Sequence, residues 1–161
     1  MKRISILFTL LTITLLTSCS SSKITTVEFQ RIDHKIVAEG NSSKANQKLL
    51  LVTYNKYFNK DNFGPEFIDK HKLDTINFRK NMLVEIFLGE KSQTGYEIIV
   101  DKIEENKDLV KIYYSVTEPD NPTDKPSQPY VIVQTHKSRK PAQFYENGEK
   151  VQMKPQNIYM N

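Results

Sequence analysis

The chain has 161 residues, 26% of them Asp, Glu, Lys or Arg, with 23 basic residues against 19 acidic ones and a single cysteine. That length suits one domain of ordinary size with one core. Charges alternate in sign, as in EENKDLVK, with no Lys/Arg run, which excludes the basic footprint of a nucleic-acid binder, and the lone cysteine excludes an internal disulfide.

Lys2 and Arg3 precede an apolar stretch, ISILFTLLTITLL, followed by LTSC at 16–19 and a polar SSSK. A bilayer span needs about 20 apolar residues. This stretch is shorter and is interrupted by Ser5, Thr9, Thr12 and Thr14, so it predicts a secretory signal peptide over 1–18. LTSC resembles a bacterial lipobox, which makes Cys19 the candidate lipidation site, palmitate among the acyl chains it would carry. Each buried acyl methylene contributes about 0.8 kcal/mol, so the chain is expected to be anchored to a membrane rather than to span it. Cleavage would also remove Lys2 and Arg3, leaving 21 basic residues against 19 acidic ones. Ser20 follows the cysteine where an aspartate would argue for inner-membrane retention. The expectation is a bacterial outer-membrane anchor facing the periplasm, with surface exposure as the alternative. Residues 19–25 form the lipidated tether, and 26–161 a single domain.

After the tether the apolar pattern has period two, the mark of half-buried strands. In TVEFQRI (26–32), Val27 and Phe29 alternate with polar residues. AEGNSSKANQ (38–47) is a turn-rich connection. KLLLVT (48–53) is apolar on both faces, as expected of an inner or doubly covered strand. From Tyr54 to Leu73 the spacing becomes helical, through Tyr54, Tyr57 and Phe58, then Phe67, Ile68 and His71. Asp61 to Pro65 breaks this segment, so one or two short helices are expected. NMLVEIFLGE (81–90) sets Met82, Val84, Ile86 and Leu88 on one face and Leu83 and Phe87 on the other. YEIIVDKI (96–103), LVKIYYSV (109–116) and YVIVQT (130–135) are further strands, the first two joined by a hairpin turn at EENKD. Asn147-Gly148 within QFYENGEKVQM is a strong hairpin signal. EPDNPTDKPSQP (118–129) carries four prolines and predicts an exposed, stiff loop of polyproline character, either a binding loop or a plain linker. Together these elements predict a mainly-β fold: an antiparallel β-sandwich or curled barrel with one or two short helices.

No catalytic constellation emerges. His34, His71 and His136 each stand alone, and the only cysteine is the lipid site, so no nucleophile–base pair is indicated. There is no HExxH or Cys pair, and Glu118, Asp120 and Asp124 lack the glycine and terminal glutamate of a calcium loop. Gly89 and Gly95 lie six apart, but Gly95 is followed by Tyr96-Glu97 rather than Lys-Ser/Thr and no helical pattern follows, so no phosphate loop is indicated. The sequence predicts no enzyme activity, no cofactor and no metal.

Several segments then occur in a telling order: INF at 76–78 entering MLVEIFLGE, then KSQTGYEIIVDKI, LVKIYYSVTEP, SQPYVIVQTHKS and a terminal QFYENG. Over about residues 74–146 this order resembles the C-terminal domain of the PrcB family, lipoproteins named for a subunit of a surface protease complex. The family's turn typically reads Thr-Gly-Gly-Tyr; here Thr94 stands at the first glycine, and Asn77 stands where an aspartate is usual. If the first glycine supplies a positive φ, the turn type must differ in this chain. The resemblance implies a non-catalytic, protein-binding accessory that stabilises or tethers a partner, a protease among the candidates. Thr94-Gly95-Tyr96 also resembles a loop of chagasin-type cysteine-protease inhibitors, which implies an inhibitor as an alternative. The nearest counterpart of another of their loops, Gln128-Pro129-Tyr130, lacks its arginine.

The expected contact surface joins Ser92–Tyr96 to the end of the proline-rich loop. Its candidate partner-binding residues are Thr94, Gly95, Tyr96, Gln128, Pro129 and Tyr130. Tyrosine gives large contact area at low entropy cost. Each tyrosine also begins a strand, so capping the core is the structural alternative for both. A second class of function is an envelope lipoprotein with a small-ligand pocket under 54–73, lined by Tyr54, Tyr57, Phe58 and Phe67. The same spacing equally describes aromatics of the core.

Overall fold

A computed structural model describes residues 28–121 and 123–158. The signal peptide, Cys19 and the tether lie outside the described residues, as do the side chain of Phe58 and Pro122 of the proline-rich loop. Among the described residues, ten strands build two separate five-stranded sheets, so the fold is a β-sandwich and not a closed barrel. One sheet holds β1 (Gln30–Ile32), β5 (Glu97–Glu105), β6 (Val110–Thr117), β8 (Ala142–Glu146) and β9 (Glu149–Lys150), in that order. The other runs β10 (Gln156–Ile158), β3 (Lys48–Thr53), β4 (Asn81–Leu88), β7 (Tyr130–His136), β2 (His34–Gly40). Pairing is antiparallel except for β6 with β8 and β3 with β10.

Alternation sets the layers. Met82, Val84, Ile86 and Leu88 of β4 join Ile98, Val100, Ile112, Tyr114 and Phe144 in the core between the sheets. Leu83 and Phe87, on the opposite face of β4, join Leu51, Tyr130 and Ile132 in a second cluster. Phe63 and Phe67, from α1 (Tyr57–Phe63) and α2 (Pro65–His71), pack on that second cluster. β3 is therefore covered on both sides, as its doubly apolar sequence predicts. Asn55 Oδ1 accepts the Tyr57 N–H at 3.0 Å where α1 begins. Pro65 opens α2, where its missing N–H costs nothing. The break between helices is Gly64 at φ 85, narrower than the five residues expected.

Two expectations need correction. Strand β2 runs on to Gly40 and so takes in the start of the stretch expected to be turn; its pairing with β7 supplies the backbone bonds that local sequence does not advertise. The strand expected from Tyr96 begins at Glu97, and a bulge at Asp101 breaks its alternation. The extra residue lets Val100 and Ile103, of opposite parity, both face the core. At the C-terminal hairpin, Asn147 (φ 49) and Gly148 (φ 86) take the two positive-φ positions of a tight turn, as Asn-Gly predicts.

Candidate functional site

The two loops singled out by the sequence meet. Thr94 bridges Thr123 and Lys91 bridges Ser127. Lys91 N–H donates to Ser127 O at 2.8 Å, and Ser127 N–H returns a bond to Lys91 O at 2.9 Å. The Ser127 hydroxyl adds a 2.5 Å bond to Gln93 O. The proline-rich loop is thus exposed over most of its length but is stitched to 91–94 rather than hanging free.

Each candidate residue has a distinct place. Thr94 Oγ1 lies 2.5 Å from Thr123 Oγ1. Gly95 has φ 100, and a Cβ there would come within 2.7 Å of Pro119 Cβ. Thr94 has no positive φ, so this turn needs its glycine only at 95, and threonine fits at 94. Tyr96 is half-buried, with Lys91 Nζ 5.2 Å from its ring centroid. Gln128 Nε2 donates to Asn46 Oδ1 at 2.9 Å, and its backbone exchanges bonds with Asn41 and Ser43. Pro129 is buried, and its carbonyl accepts the Leu88 N–H at 3.0 Å. Tyr130 is 7% exposed, its ring among Phe63, Phe67 and Phe87 at centroid distances of 5.4, 6.0 and 6.1 Å.

Tyr96, Pro129 and Tyr130 come together with Ile36, Glu39 and Ile98 along one groove of about 390 Å³. It lies on the flank where β2, the margin of one sheet, neighbours the stretch of β5 in the other sheet that β1 leaves uncovered. Thr94, Gly95 and Gln128 are outside it and hold the loops that frame its end.

Residues 82–136 match the PrcB C-terminal family model. The match takes in β4, β5, β6 and β7 with the loops between them, so it contains both expected contact loops. β1 to β3, both helices and β8 to β10 lie outside the PrcB-like segment. No curated protein and no solved structure gives a significant match.

A second cavity bears on the ligand-pocket alternative. A cleft of about 690 Å³ is lined by Tyr54 and Tyr57 as expected, but Phe67 is elsewhere, stacked on Phe63 at 3.9 Å. Among the described residues its lining includes Lys56, Arg79, Lys137 and Arg139 against a single carboxylate, Asp74. That charge favours an anion over the apolar ligand an aromatic pocket suggests. Lys137 Nζ is held by Phe78 O at 2.7 Å.

Sequence reasoning missed Glu85. It is fully buried in β4 of the PrcB-like segment, on the face shared with Leu83 and Phe87. Burial pushes its carboxyl up to about 7, against the opposing influence of Thr53 and Asn59. The Thr53 hydroxyl is close enough to matter electrostatically but outside hydrogen-bonding geometry, and Glu85 Oε2 meets no donor among the described residues. Among the described residues no group of three or more His, Cys, Asp or Glu could hold a metal ion.

Proposed function

We propose that this protein is a lipid-anchored, non-catalytic accessory that works by protein–protein contact, stabilising or tethering a partner, a protease among the candidates. The observation that carries this is the convergence of Tyr96 and Pro129, from two loops of the PrcB-like segment, on one groove. Loops held on rigid strands are where binding residues concentrate, and cross-bridging of these two lowers the entropy lost on docking. The lipobox-like LTSC supports the anchor at Cys19, and Ser20 supports an outer-membrane location.

The test is capture of partners from native membranes with the acylated protein, wild type against Tyr96→Ala. Capture lost at unchanged melting temperature supports the proposal; undiminished capture by the variant sinks the assignment of the site. Cys19→Ser tests the anchor independently, since the variant should leave the membrane fraction.

A further inference from the structure

The flank where the chain crosses between sheets is one strand short. β1 pairs with β5 only over Gln30–Ile32 against Ile103–Glu105. After Asp33 the chain leaves for the other sheet, where β2 pairs with β7. Among the described residues, no strand lies along the outer edge of β5 from Glu97 to Val100.

The opposite side of β6 fixes which backbone groups point into that lane. Val116 N–H donates to Asn147 Oδ1, and Tyr114 O accepts the Asn147 N–H, both at 2.9 Å. Those groups therefore aim away from β5. Their ladder partners, Ile98 and Val100, form the non-hydrogen-bonded pairs of the antiparallel ladder and aim their own groups outward. Val100 O meets His34 Nε2 at 3.0 Å, which leaves the Ile98 N–H, the Ile98 carbonyl and the Val100 N–H without a protein partner among the described residues.

Side chains show the same gap. Ile36 sits opposite Val133 in the β2–β7 ladder and so shares its face, toward the space between the sheets. Val133 is 0% exposed but Ile36 is 53% exposed, because no strand of the other sheet stands across from it. Among the described residues, the charged ones lining the groove are Glu39 and Glu97. The margin of β2 is a poorer template for pairing, since its ladder is broken by a bulge at Val37.

We infer that this lane receives an extended segment of a partner protein, alternating apolar and basic residues, as an added strand alongside β5. The added backbone pairs with Ile98 and Val100, its apolar side chains fill the space under Ile36, and the cations on its opposite face meet Glu97, with Glu39 adding negative potential along the groove. This rests on the proposed accessory function and gives it a binding mode.

The test is residue-resolved amide hydrogen exchange on the full-length protein with a capped nonapeptide, KVTVKVTVK. At saturation the Ile98 and Val100 amides should exchange about tenfold more slowly. Glu97 and Ile99, which already face β6, should not change. The acidic peptide EVTVEVTVE and the proline-interrupted KVTPKVTPK should each bind at least about tenfold more weakly, as should the basic peptide to Ile36→Ser. No binding at millimolar KVTVKVTVK, or binding without protection of those two amides, overturns the inference. Protection that grows with protein concentration in the absence of peptide assigns the lane to a second copy and also overturns it. The accessory function fails separately. A partner captured through Tyr96 with no protection at Ile98 and Val100 removes strand addition alone. Protection by the peptide with no captured partner leaves the lane standing and removes the accessory.

Discussion

The side-chain amide of Asn59, in α1, donates to Oε1 of Glu85, in the middle strand of the second sheet, at 3.0 Å, and both residues are fully buried. Glu85 sits directly between Leu51 and Ile132 on the neighbouring strands, so its carboxyl is flanked by apolar side chains. Burial raises its pKa from 4.5 to about 7, so the folded state holds the proton more tightly than the unfolded chain does. Stability from this group is therefore complete below the unfolded value and is lost as pH rises through about 7. A shift of this size corresponds to roughly 3 kcal/mol across that window. The melting temperature of the wild type should fall between pH 5 and pH 8, and Glu85→Gln, which keeps an acceptor for Asn59, should flatten the fall. Parallel pH profiles for the two proteins would show that Glu85 is not the titrating group.

Why Glu85 escaped notice is instructive. In NMLVEIFL it shares parity with Leu83 and Phe87, and that alone could have placed it on a buried face. The second covering layer, the helices over β4, gives that face its depth, and it is visible only once α1 and α2 fold back. β3 was legible to the residue, and β4 to within two residues at its end, because both of their faces are apolar. β2 was not, since Ala38, Glu39 and Gly40 form a strand only through the pairing that β7 offers. Ile103 carried a hint of the β5 bulge by falling out of step with Ile98 and Val100. The groove had no local signal, because it exists only where the chain changes sheets at Asp33.

Gly95 should tolerate no side chain. At φ 100 an L-residue is strained, and the added Cβ would press on Pro119 Cβ at 2.7 Å. Gly95→Ala should cost roughly 1–3 kcal/mol in denaturant unfolding. Thr94→Gly should cost only about 1 kcal/mol, through added chain entropy and the lost Thr123 contact. Equal costs at the two positions would contradict the φ assignment of this turn.

The two candidate tyrosines should separate cleanly. Tyr130 is packed among three phenylalanines, so Tyr130→Ala should cost about 3–5 kcal/mol and lower the melting temperature accordingly. Tyr96 is half-buried at the groove, and Tyr96→Ala should cost less than about 2 kcal/mol. Thermal unfolding of both variants ranks them directly. The reverse order would place Tyr96 in the core and take it out of the contact surface.

On the flank away from the groove, Lys48 of β3 pairs with Glu146 of β8 and joins the two sheets, with the Tyr114 hydroxyl donating to the same carboxylate. Burial pushes the Glu146 carboxyl up, but the bonds from Lys48 and Tyr114 outweigh it and hold the group below the usual carboxylate range. The sign is opposite to that of Glu85. Stability from Glu146 is present above the unfolded value near 4.5 and is lost as pH falls through the lower folded value. Lys48→Met should therefore lower stability by about 1 kcal/mol at pH 7 and by much less at a pH low enough to protonate Glu146, which then has no charge to compensate. Thermal melts of wild type and variant at the two pH values measure this. A variant equally impaired at both would mean that Lys48 acts through its aliphatic stem and not through its charge.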